Sequence, residues 1–186
     1  MQIRKNLAML TAALGLTATV FIAQSCSKSK SPAKQTLYDS LGGTAMVADP
    51  ANSGQMIEKG RLGLRSVVDS AIFVIAVDSK INKYFQTLLT EVGNSNFTGF
   101  NALSKNLTDF FCVATGARHF TYSGKNMHDA HDPATNSRMN GKVDSDDFDQ
   151  FVADIVVAAK KNGLSDQLIG QVGVVIYSVK GVVVQM

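Results

Sequence analysis

The sequence predicts an all-α domain behind an N-terminal export segment, and three observations predict it. Several stretches carry apolar residues at spacings of three and four, the period of a helix with one buried face. Asp, Ser and Gly punctuate those stretches where helices start and stop. Alternating strand-like runs are nearly absent, and only Val182-Val183-Val184 at the tail reads as a candidate strand.

Composition sets the outer limits. The chain has 186 residues, enough for one domain plus an appendage. With 45% apolar and 18% charged residues it has an ordinary globular composition. The formal charge is +3, but Arg4 and Lys5 lie in a leader without acidic residues. Without them, 16 basic residues face 15 acidic ones, a net of +1, and no basic face argues for nucleic acid.

Residues 1–25 read as a signal peptide. Arg4 and Lys5 form its positive start, Leu7 to Ala23 its uncharged apolar run, and Ala23-Gln24-Ser25-Cys26 its end. The run sits at the short limit of about 17 residues for a membrane span. The polar stretch that follows, within residues 26–35, reads instead as a tether. A small residue before a cysteine at the end of such a run resembles the lipobox of bacterial lipoproteins. That resemblance implies lipidation at Cys26 and an exported, membrane-anchored chain, at the periplasmic or outer-membrane face. Cys112 sits among Phe110, Phe111 and Val113 and reads as a small core residue, so no disulfide is expected.

The domain proper spans residues 36–186. Thr36-Leu37-Tyr38-Asp39 reads as a capped short helix ended by Gly42-Gly43, and residues 44–56 as a loop. A long helix is expected from about Met56 to Val77, burying Leu64, Val67, Val68, Ala71, Ile72 and Ile75. One more turn is expected over Lys80 to Phe85. From Gly99 to Ala114, the spacing of Phe100, Leu103, Leu107, Phe110, Phe111 and Ala114 predicts a helix with a clean apolar stripe. Ala117 to Asp144 reads as mostly irregular, with a short helix around Asn126 to His131. So long an irregular segment in a small domain calls for something to order it, as a bound cofactor would. Two amphipathic helices close the chain, one from Ser145 to Lys161 and one capped by Ser165.

The run Tyr122-x-Gly124-x-x-Met127-x-x-x-His131 lies between a Phe-Phe-bearing helix and two terminal amphipathic helices. This arrangement resembles the truncated hemoglobins. Leu37-Tyr38-Asp39-Ser40-Leu41-Gly42-Gly43 is similar to the family's opening, Val67-Val68-Asp69 to its second helix, and Tyr84-Phe85 to the junction that follows. The chain has no tryptophan, and Phe151 or Val152 stands where other groups of the family usually carry one beside heme, so it resembles group I. The resemblance covers about residues 36–180, with insertions of about 17 residues between Gly43 and Val67 and a shorter one at Asp132 to Gly141.

The resemblance implies a two-over-two helical sandwich around heme, with His131 as the iron ligand through one ring nitrogen. It places Ile72, Leu103 and Leu107 on the distal side, where the family often has tyrosine and glutamine. All three are apolar here, which implies that oxygen affinity falls relative to carbon monoxide, because the partial charge on bound oxygen goes unstabilised. Phe85, Phe111, Met127 and Phe151 are the expected packing residues around the cofactor, and a one-residue slip would bring Ser104, Asn106 or Thr108 inward instead. The implied partner is a diatomic gas, oxygen, carbon monoxide or nitric oxide. Turnover of nitric oxide is known in such families, but no nucleophile–base pair or carboxylate dyad in the sequence argues for an enzyme.

Three other readings compete. His128 with His119, Asp129 and Asp132 has the residue types of a zinc site, at a spacing common by chance. Asn136 to Asp147 resembles a calcium-binding EF-hand loop, but Arg138 stands at a ligand position and no glutamate closes the loop. The third is a heme-free helical lipoprotein that serves as an interaction module.

Overall fold

The computed structural model describes residues 34–186. The leader, most of the tether and Cys26 lie outside the described residues. Helix α1, Leu37–Ser40, starts as its sequence dictates. Thr36 Oγ1 accepts from the Asp39 amide at 3.1 Å, and the Asp39 carboxylate accepts from the Thr36 amide at 2.8 Å. Tyr38 is 1% exposed, and its ring packs edge-on against Phe120.

The segment expected to be a loop contains a small antiparallel hairpin. Strand β1, Met46–Ala48, pairs with β2, Met56–Glu58, with Val47 opposite Ile57. Asp49 organises its turn by accepting from the Ala51 amide at 3.0 Å and from the Asn52 side chain at 2.8 Å. Arg65 clamps the same carboxylate at 2.6 Å, which ties the hairpin to the next helix and holds Asp49 well below the usual carboxylate range. Helix α2 therefore begins at Lys59 rather than Met56 and runs to Val77.

Every residue expected on the buried face of α2 is buried, from Leu64 through Ile75. Each of its leucine, valine and isoleucine side chains contributes about 1.5 to 3 kcal/mol when removed from water. A 3-10 turn, Asn82–Phe85, and helix α3, Gln86–Gly93, lead to α4, Thr98–Ala114. Gly116, at φ 96°, ends that segment with a backbone turn that L side chains resist. The short α5 covers Met127–His131 inside the irregular stretch. Asp144 caps α6, Ser145–Lys161, by accepting from the Asp147 amide at 2.7 Å. Ser165 caps α7, Asp166–Tyr177.

Helix α2 packs on both α4 and α6, and α7 packs on α6, so one helix pair lies over another. The tail corrects the strand expectation. Lys180–Val183 forms a last helical turn, α8, which packs on α5 and α6 with Val183 buried. Beyond it, the Gln185 amide donates to the Val143 carbonyl at 2.9 Å and fastens the chain end.

The apolar stripe on α4 divides, with Phe111 in the core and Ala114 exposed. Ser104, Thr108, Asp109, Phe111 and Cys112 are the buried residues of the helix, whereas Leu103, Leu107 and Phe110 are only half-buried. Helix α4 packs on α2, where the Ser104 hydroxyl donates to Asp69 at 2.5 Å. The larger apolar residues face elsewhere, into a cavity.

Candidate functional site

A cavity of about 390 Å³ lies among α2, α4, α5, α6 and the segment before α3. That volume falls within the range of roughly 300 to 1,000 Å³ typical of small-molecule and cofactor sites. Its wall gathers Ile72, Phe85, Leu103, Leu107, Phe111, Met127, His131 and Phe151, residues spread over 80 positions of sequence. Val152, the alternative to Phe151, instead turns into the core. Most of the remaining lining is aliphatic or aromatic, from Ala71 and Ile75 to Phe148 and Val179.

The segment carrying His131 is shaped by its own residues. Tyr122 folds back, and its hydroxyl donates to the Lys125 carbonyl at 2.6 Å, while its ring meets Phe110 edge-on at 6.1 Å. Gly124 permits this, because a Cβ there would lie 2.6 Å from the tyrosine oxygen. Asn126 then caps α5 by accepting from the Asp129 amide at 2.9 Å. One turn later His131 Nδ1 reaches the Met127 carbonyl at 2.8 Å. A carbonyl only accepts, so Nδ1 carries the proton and Nε2 keeps its lone pair. Burial lowers the His131 pKa below the ordinary histidine value, against a smaller opposing effect of that hydrogen bond. The imidazole is thus held neutral on the cavity wall, with a free nitrogen donor.

Polar groups reach the cavity at a few points. Asn106 lines it between Leu103 and Leu107, whereas Ser104, bonded to Asp69 on α2, and the buried Thr108 do not. The slip weighed in the sequence therefore delivers one polar residue and not three. Tyr84 and Asp147 also line the wall, but they are bonded to each other, and the tyrosine hydroxyl lies 3.0 Å from the Lys142 carbonyl as well. Lys125 and Arg138 supply the basic part of the lining. Sequence reasoning missed Tyr84 and both cations as wall residues, since no apolar period marks them.

The rival constellations are dispersed. His119 Nδ1 pairs with Glu58 at 2.8 Å, and His128 pairs with its neighbour Asp129. Among the described residues no group of three or more His, Cys, Asp or Glu side chains is placed to hold a metal ion. The residues of the calcium-like loop are engaged apart from one another. The Asn136 amide donates to the Ala130 carbonyl, Arg138 pairs with Glu91, and Asp144 caps α6. Cys112 is fully buried, and burial pushes its thiol up to about 11, so it stays protonated and inert.

The donor set fits heme. A neutral imidazole with a free Nε2 is the protein ligand that globin iron takes, and its Nδ1–H bond to a carbonyl is the outer partner that orients such a ring. The apolar wall suits a porphyrin face, and the cations suit its carboxylates.

No protein-family model matches the chain, and no curated protein matches it in sequence. Its similarity is to solved structures. A truncated hemoglobin from Tetrahymena pyriformis, a tyrosine-to-phenylalanine variant in the Fe(III) form, superposes with a TM-score of 0.59 at 20% identity. The match covers 82% of this chain and 100% of that one. A glutamine-to-glutamate variant of the same protein, also in the Fe(III) form, matches with the same TM-score, identity and coverage. The two-over-two helix arrangement and the superposition agree: this chain has the all-α truncated-globin fold.

Proposed function

We propose that the chain is a heme-binding globin of the truncated kind, with His131 Nε2 as the axial ligand. One observation carries the reading: the Nδ1 bond to the Met127 carbonyl leaves a neutral imidazole with a free donor on an apolar cavity of about 390 Å³. When bound, heme supplies an iron at which oxygen, carbon monoxide or nitric oxide binds reversibly. The residues do the rest. The Met127 carbonyl fixes the ring, Phe85, Phe111 and Phe151 exclude water, and Ile72, Leu103 and Leu107 shape an apolar distal side. Phe151 on the wall, in a chain without tryptophan, favours a group I assignment. The leader with Cys26 favours export and a lipid anchor, as the sequence alone argues.

The test is an absorption spectrum of the protein reconstituted with heme. A strong Soret band, shifted by carbon monoxide in the ferrous form, is expected, and His131→Ala should lose the ligand-specific spectrum. A stably folded wild type that stays colourless would replace this reading with that of a heme-free interaction module.

A further inference from the structure

The chain contains two Asn-Gly dipeptides, Asn140-Gly141 and Asn162-Gly163. Asparagine before glycine is chemically labile, because the following amide nitrogen reaches the side-chain carbonyl carbon with no Cβ in the way. The two sites match in exposure and backbone. All four residues are exposed, and both glycines have positive φ, 96° at Gly141 and 77° at Gly163. They differ in their hydrogen bonds. The Gly163 amide donates to the Lys160 carbonyl at 3.0 Å. The Asn162 side-chain amide donates to the Ala158 carbonyl and the Ser70 hydroxyl, each at 2.9 Å, so the C-terminal turn of α6 holds both reacting groups. The Gly141 amide, by contrast, has no acceptor among the described residues. The Asn140 side chain makes one hydrogen bond, from its amide to the Lys83 carbonyl at 3.1 Å. That bond ties the stretch after α5 to the 3-10 turn before α3, and Met139 and Val143 on either side of it line the cavity.

We propose that Asn140 is a self-modification site, at which the side chain cyclises onto the Gly141 nitrogen and hydrolyses in the folded chain, whereas Asn162 is protected. The Gly141 nitrogen loses its proton to solvent hydroxide and attacks the Asn140 side-chain carbonyl carbon. A C–N bond forms there, the bond to the side-chain nitrogen breaks, and ammonia leaves with a proton taken from water. Water then opens the cyclic imide at either of its carbonyls, which gives aspartate or isoaspartate. The product carboxylate has no proton to donate to the Lys83 carbonyl, so the tie to the 3-10 turn is lost and this part of the cavity wall loosens. At Asn162-Gly163 three hydrogen bonds must open before the same attack, which slows that site by about tenfold or more.

The experiment incubates the full chain at mildly alkaline pH in heavy-oxygen water and maps the incorporated label by peptide mass spectrometry. It needs no heme, so its outcome is separate from that of the heme test. Label is expected at Asn140, as a mixture of aspartate and isoaspartate, with about tenfold less at Asn162. In urea the two positions should react alike, which shows that the fold makes the difference. Asn140→Gln should carry no label at that position, since its longer side chain closes a less favourable ring. Equal labelling of the two sites in the folded chain overturns the proposal. So does a folded chain unlabelled at Asn140 when the urea-unfolded chain is labelled at both positions. Hydrogen exchange of Asn140→Asp reads the consequence, with amides in 132–144 expected to exchange about fivefold faster than in the wild type. Unchanged exchange there overturns the link between the modification and the cavity wall.

Discussion

His131 takes its chemistry from one carbonyl and from burial. The Met127 oxygen fixes the tautomer, and desolvation disfavours the imidazolium, so the free nitrogen stays available in mildly acidic solution. A histidine with a lowered folded-state pKa makes the fold less stable as pH falls below the unfolded value, because the unfolded chain then binds more protons. Asp154 acts in the opposite sense. It is 5% exposed, one of its oxygens has no partner, and burial followed by the nearby Asp78 charge raises it to about 6. Its folded-state pKa lies above the unfolded one, so its contribution is fully present below about pH 4 and lost as pH rises through 6. Asp154→Asn is therefore expected to stabilise the protein by about 1 to 3 kcal/mol at pH 8 and by little at pH 4. Thermal melts at the two pH values check it, and a gain independent of pH would contradict the account. Asn106 permits a second test at this scale. Asn106 is the amide that lines the wall between Leu103 and Leu107, and on the proposed heme reading it would interrupt the apolar distal side with a group able to donate to a polar ligand. Asn106→Leu should lower oxygen affinity relative to carbon monoxide by a factor of about ten, the effect of one hydrogen bond to a partly charged acceptor. Equal loss for both gases would assign Asn106 to packing.

At the scale of elements, α2 shows how glycines divide between necessity and cost. Gly60 lies where α1 crosses the start of α2, and a Cβ there would come within 2.9 Å of the Tyr38 ring and 3.0 Å of the Gly43 amide nitrogen. Gly63, one turn on, would meet only the Leu41 carbonyl at 3.5 Å, an ordinary contact. Helix propensity favours alanine at both by about 1 kcal/mol, but steric strain at Gly60 costs about 1 to 3 kcal/mol and wins. Gly60→Ala should thus lower the melting temperature while Gly63→Ala raises it, and a gain at both would refute the close approach. The sequence made α2, α6 and α7 readable because their apolar period coincides with their buried face. On α4 the apolar period marks the cavity wall as well as the core, with Leu103 and Leu107 on the wall and Phe111 buried. Periodicity reports which residues avoid water, not which neighbour covers them. The hairpin at 46–58 escaped for a different reason, since three-residue strands show too little alternation and its anchor, Arg65 to Asp49, spans 16 positions. The tail valines read as a strand because β-branched runs favour one, and the packing of α8 on α5 and α6 with Val183 buried overrode that preference. His131 and its motif were legible because Gly124, Asn126 and Met127 act locally, within one turn and one cap. Lys125 and Arg138 carry no such local signature.

The whole molecule combines a well-packed helical frame with a segment that has little regular structure of its own. Residues 117–144 hold only the short α5, and they form one wall of the cavity. A ligand that binds only the folded state stabilises it by about 2.7 kcal/mol at a free concentration 100 times its dissociation constant. In a domain of this size that corresponds to a rise of roughly 5 to 11 °C in melting temperature. The gain should not be uniform. The frame of α2, α6 and α7 already buries its faces, whereas the segment around His131 relies on turn hydrogen bonds and on Gln185 at the chain end. Hydrogen exchange should therefore slow on heme addition chiefly in 117–144 and little in α2, because local opening of the less-packed wall dominates exchange in the free protein. His131→Ala should show a smaller rise and little added protection in α5, even where porphyrin still partitions into the apolar cavity. A melting temperature unmoved by saturating heme, or protection spread evenly over all helices, would mean that the cavity and its histidine wall are not one binding unit.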